Sequence, residues 1–75
     1  MPTPDEIKRR IESAIPGSTA EVEDWTGGGD HFRAVVVSPA FAGKTRIQQH
    51  QMVYAVFGDE IGGAIHALSL KTQEP

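Results

Sequence analysis

Seventy-five residues make room for one domain, 1–75, and a chain this short buries only about 60% of the surface its unfolded form exposes. That leaves little material for a deep cleft, and with no cysteine neither a disulfide framework nor a thiolate metal site can be built from this chain alone. A formal charge of −3 offers no broad attraction for phosphate backbones or anionic membranes, and no apolar run approaches a membrane span or signal-peptide core, so the expectation is a cytoplasmic protein that binds a partner and is not an enzyme.

Thr3-Pro4-Asp5-Glu6 reads as a helix start, with Thr3 as N-cap, Pro4 in the first helical position and Glu6 closing a capping box. Ile7, Ile11 and either Ala14 or Ile15 then recur at helical spacing, while Lys8, Arg9, Arg10 and Glu12 are expected to face water. Pro16-Gly17 ends that helix. Over 20–25, Ala20 and Val22 alternate with Glu21 and Glu23, the pattern of a half-buried strand. Thr26-Gly27-Gly28-Gly29-Asp30 reads as a flexible turn, and 31–37 as a second, β-branched strand.

Ser38-Pro39 stops that strand. A second helix is expected over roughly 44–57, with Ile47, His50, Val53, Tyr54 and Phe57 on one arc as its core face. Gly58-Asp59-Glu60-Ile61 leaves space for at most one more helical turn before Gly62-Gly63 breaks it. A last strand is expected over 64–71, with His66, Leu68 and Leu70 on one face. There is no internal repeat and no low-complexity stretch.

The order is α-β-β-α-α-β, an α+β fold with a three-stranded mixed sheet covered on one face by helices. The glycine turn makes the first two strands a hairpin, and the helical crossover makes the second and third parallel. His31 and His66 then begin two parallel strands at the same end of the sheet. Neighbouring strands lie about 4.8 Å apart, so the two imidazoles could reach one metal if those strands are adjacent. Each histidine also has a plainer reading. His50 is expected to pack in the core and hydrogen-bond there. His31 reads equally as a partly exposed turn residue, and His66, taken by itself, as a satisfied core histidine. Two histidines leave a site incomplete, since zinc or iron usually takes four donors. Gly43-Lys44-Thr45-Arg46 at a helix start could meet phosphate, although a solvated helix end explains it as well.

Taken together, Phe32-Arg33-Ala34-Val35-Val36-Val37-Ser38, Phe41-Ala42-Gly43-Lys44, Gln49-His50-Gln51-Met52-Val53-Tyr54 and Ile65-His66-Ala67-Leu68 with Lys71-Thr72 resemble the BolA family over nearly the whole domain. The resemblance implies the same α-β-β-α-α-β fold, similar to class II KH domains. It further implies a heterodimer with a monothiol glutaredoxin and a [2Fe–2S] cluster shared with that partner and its glutathione. By the same resemblance His66 matches the family's histidine ligand. The second ligand comes from the loop between the first two strands, which here has no cysteine, so His31 is the candidate and Asp30 a poor substitute. The partner and glutathione would supply the thiolates, and two imidazoles on one iron with two thiolates on the other is Rieske-type ligation. The free chain is expected to be a monomer or weak homodimer. The alternative is a KH-like nucleic-acid-binding transcriptional regulator, but Gly43-Lys44-Thr45-Arg46 lacks the Gly-x-x-Gly of a KH loop.

Overall fold

A computed structural model describes residues 3–25, 31–63, 65 and 67–75. Helix α1 runs Pro4–Ala14, and the Thr3 hydroxyl accepts from the Glu6 N–H at 3.1 Å, with proline in the first turn as expected. Ile7, Ile11 and Ile15 form the buried stripe, which decides between the two candidates for its last member: Ala14 is exposed. The helix stops where Ile15 takes an extended conformation, and Gly17 follows at φ +68°, a left-handed turn that a Cβ would jam to 3.0 Å from the Pro39 ring.

Strand β1, Thr19–Asp24, pairs antiparallel with β2, His31–Val37, in a register from Thr19↔Val37 to Asp24↔Phe32. Strand β3, Ala67–Gln73, lies parallel to β2 on its other side, from His31↔Ala67 to Val37↔Gln73. The order β1-β2-β3 therefore makes the second and third strands both adjacent and parallel. Ala20, Phe32, Ala34, Val36 and Leu68 face the helices and are buried. By alternation Glu21, Glu23, His31, Arg33, Val35, Ser69 and Lys71 lie on the opposite face. The last strand is described over Ala67–Gln73, and it runs two residues past the expected end at 71. Ahead of it, Ile65 is fully buried and makes a single parallel bridge to Ile61, while Ala64 and His66 lie outside the described residues.

Ser38 does more than end β2. Its hydroxyl donates to the Pro16 carbonyl at 2.8 Å and accepts from the Ala40 N–H at 3.0 Å, capping a 3-10 turn, Pro39–Phe41, that drives Phe41 into the core. Helix α2 follows over Arg46–Phe57, starting later than expected because Thr45 and Gln48 form a reciprocal capping box at its head. Gly58, at φ +56°, ends it, and one 3-10 turn, Gly58–Glu60, fills the place allotted to a further helical turn.

The core face of α2 corrects the sequence reading. Gln49, Val53 and Phe57 are buried, with Met52 and Val56 packed beside them. Ile47 is 70% exposed, Tyr54 is 36% exposed and His50 is only half-buried. The reason is Gln49. Its amide donates to the carbonyls of Phe41 and Lys44 at 3.3 and 3.0 Å, and its oxygen accepts from the Thr72 hydroxyl at 2.7 Å. A glutamine with every polar atom engaged can occupy a buried position, which turns the helix away from the arc that its apolar residues suggest.

Arg10 is likewise no solvated arginine. Its guanidinium grips the Glu60 carboxylate through both terminal nitrogens, one contact at 2.8 Å, and lies 4.7 Å from the centre of the Phe57 ring. The hydrogen bond to Glu60 raises the pKa of Arg10, and the same bond lowers that of Glu60. Glu12 accepts from Lys8 Nζ at 2.8 Å and from the Ala20 N–H at 2.9 Å, and these two bonds, the lysine first, hold its pKa below the ordinary carboxylate value.

Candidate ligand site at the start of the parallel strands

His31 is the first residue of β2 and is half-buried. Its position follows from the residue after it: Phe32 is fully buried among the helices, so alternation sends His31 to the opposite face. Its partner across the ladder is Ala67, the first residue of β3. His66 immediately precedes Ala67 in the chain and lies outside the described residues, as does the segment 26–30 with Asp30. The condition on which the two-histidine reading rested, adjacent parallel strands with His31 at the start of one, is thus met.

A second ring adjoins His31. Trp25, just beyond the end of β1, stands edge-on to the imidazole with ring centroids 6.3 Å apart and planes at 89°. The Arg33 guanidinium lies 5.2 Å from the indole centre, and its Nη1 reaches Glu23 Oε1 at 3.3 Å. Glu23 and Arg33 are directly opposed across the β1–β2 ladder. These four side chains form a row on the face away from the helices. Sequence reasoning gave Trp25 and Arg33 no role, although the signal was present: Glu23 and Trp25 share parity on one strand, as do His31 and Arg33 on the next.

His50 belongs to α2, on the helical layer, and His31 to the outer face of the sheet. Among the described residues no three His, Asp or Glu side chains converge into a metal-binding group, so what they offer is a single imidazole donor and not a closed site. At the other candidate position, Gly43-Lys44-Thr45-Arg46, the Gln48 N–H is bonded to Thr45 and the Thr45 N–H to Gln48. Part of that helix end is satisfied by its own side chains. No helix is long and apolar enough among the described residues to cross a membrane.

Two helices on one side of a β1-β2-β3 mixed sheet, with a histidine at the head of the central strand, define an α+β domain. The chain belongs to the BolA-like protein family, whose profile matches residues 7–75. The structure of a BolA homologue from Coxiella burnetii superposes with a TM-score of 0.83 at 42% identity, covering 100% of this chain and 94% of that one. Human BolA-like protein 1 is 33% identical over 76 residues, covering 92% of this chain, which spans 56% of the human protein's length. The DNA-binding transcriptional regulator BolA of Escherichia coli is 29% identical over 75 residues, covering 91% of this chain and 71% of that protein.

Proposed function

We propose that this chain is a non-enzymatic adaptor that pairs with a monothiol glutaredoxin and co-ligates a [2Fe–2S] cluster, for cluster transfer or iron signalling, through His66 and His31. The observation that carries the reading is the register of β2 and β3: His31 is paired with Ala67, the residue that follows His66 in sequence. Imidazole suits iron, and a chain without cysteine has to leave the thiolate half of the coordination to its partner and glutathione. The donor set fits one side of a shared centre. When bound, the cluster supplies the two irons that the imidazoles and thiolates divide between them. This chain's part is to present imidazole donors, that of His31 from the outer face of a sheet whose opposite face is packed against the helices.

Reconstitution tests the proposal. The purified chain is expected to stay colourless with ferrous iron and sulfide, because two imidazoles fill only half of a tetrahedral shell. Adding a glutathione-loaded monothiol glutaredoxin is expected to give a coloured heterodimer on size exclusion. A stable cluster on this chain alone, or colour confined to the glutaredoxin, would contradict it.

The relative named as a DNA-binding transcriptional regulator favours a second reading, nucleic-acid binding, with exposed Lys44 and Arg46 at the head of α2 as its contacts. Against it stand the net charge of −3 and the capping box that engages the Thr45 and Gln48 N–H groups. Titration at two salt concentrations is expected to show nothing tighter than the non-specific range of about 10⁻⁴–10⁻⁶ M. Sub-micromolar, sequence-dependent binding at physiological salt would reverse the order of the two readings.

A further inference from the structure

The side chain of His31 leaves the sheet on the face without helices, where close packing does not fix an imidazole as it would in the core. A metal donor has to point its lone pair within roughly 10–20° of the productive direction. Something on that face has to set the ring. One of the contacts of His31 is the ring of Trp25, at 6.3 Å and 89°, inside the range of edge-to-face aromatic pairs.

Trp25 is itself 50% exposed, so burial does not fix it either. What braces it comes from the neighbouring strands: the Arg33 guanidinium lies over the indole at 5.2 Å, and Glu23 holds Arg33 from directly across the ladder. Each link is weak where water reaches it. All of them, however, stem from β1 and β2 or the residue next to them, whose backbones are set by a six-pair register, so the row Glu23–Arg33–Trp25–His31 starts from fixed points.

We infer that Trp25 is a positioning residue for His31, holding the imidazole in one orientation on the outer face, with Arg33 bracing the indole. The inference rests on the reading of His31 as a donor. It adds that an aromatic neighbour helps to orient the donor. Without the indole, the imidazole loses one of the contacts that select its orientation, and its other staggered rotamers become easier to reach.

The test has two arms. In the free protein, nuclear Overhauser contacts between indole and imidazole protons, together with χ1 couplings of His31, report the orientation of the ring. Wild type is expected to show the contacts and a single rotamer, Trp25→Leu an averaged one, and Trp25→Phe a restored one. In the glutaredoxin heterodimer, decay of the visible circular dichroism reports how firmly the imidazole is held. Trp25→Leu is expected to lose the signal about two- to tenfold faster than wild type, the range an aromatic pair's worth converts to, with Trp25→Phe close to wild type. Arg33→Gln should shift both readouts part of the way in the same direction. The half-exposed position of Trp25 leaves these variants folded.

A His31 rotamer already averaged in wild type, or unchanged in Trp25→Leu, overturns the inference. So does a decay rate in Trp25→Leu equal to wild type where His31→Ala weakens or alters the signal. If His31→Ala leaves the heterodimer's spectrum untouched, the ligand reading falls, and the ring-orientation arm still decides whether Trp25 positions His31.

Discussion

Gln49 shows how one polar side chain can set the rotation of a helix. Two donated bonds and one accepted bond join it to Phe41, Lys44 and Thr72, tying the 3-10 turn, the head of α2 and β3 together. Gln49→Ala would strand those partners, so it is expected to cost about 1–3 kcal/mol in urea unfolding. Gly17 offers a second test at this scale. Its φ of +68° would penalise alanine by roughly 1–2 kcal/mol on backbone grounds alone. Gly43 has a similar φ of +74° but nothing within 4 Å of an added Cβ, whereas at Gly17 the Pro39 ring stands 3.0 Å away. Gly17→Ala is therefore expected to destabilise more than Gly43→Ala, and equal losses would show that the ring yields freely. None of this was legible in sequence, because the partners of Gln49 and Gly17 are brought close only by the folded chain.

Among the elements, α1, β1 and β2 were legible and the face of α2 was not. The isoleucines of α1 and the alternation in both strands are local patterns that survive folding unchanged. In α2, Ile47, Val53, Tyr54 and Phe57 do fall on one arc, but burial is decided by the bonds of Gln49, which leave no periodic trace. The corrected face predicts that Ile47→Gln changes stability by no more than about 0.5 kcal/mol. A loss of several times that size would restore the original arc. The ties between elements are also testable through pH. Glu60 and Glu12 have pKa values lowered by Arg10 and by Lys8 with the Ala20 N–H. A depressed carboxylate stabilises the fold fully above its unfolded value, 4.5 here, and that contribution disappears as pH falls through the lower folded value. Thermal midpoints are thus expected to drop below pH 4.5, and Glu60→Gln should be less stable at neutral pH with a shallower drop in acid. An unchanged slope would mean that the Arg10–Glu60 contact contributes nothing in solution.

For the molecule as a whole, the sheet order is what gives the histidines their meaning. A chain of this length has little material for a deep cleft, so its chemistry is expected at the rim of the sheet, where a partner can complete it. The position of His31 could be inferred from strand order and the glycine turn, because a hairpin followed by a helical crossover leaves few topologies open. The contribution of Trp25 and Arg33 could not, since it depends on geometry across the ladder. The most direct measurement is visible circular dichroism of the reconstituted glutaredoxin heterodimer, comparing wild type with His66→Ala and His31→Ala. The account predicts loss of the cluster signal in His66→Ala and a weakened or altered one in His31→Ala, where Asp30, water or an added thiol can take the vacated position. A wild-type spectrum from His66→Ala would contradict it.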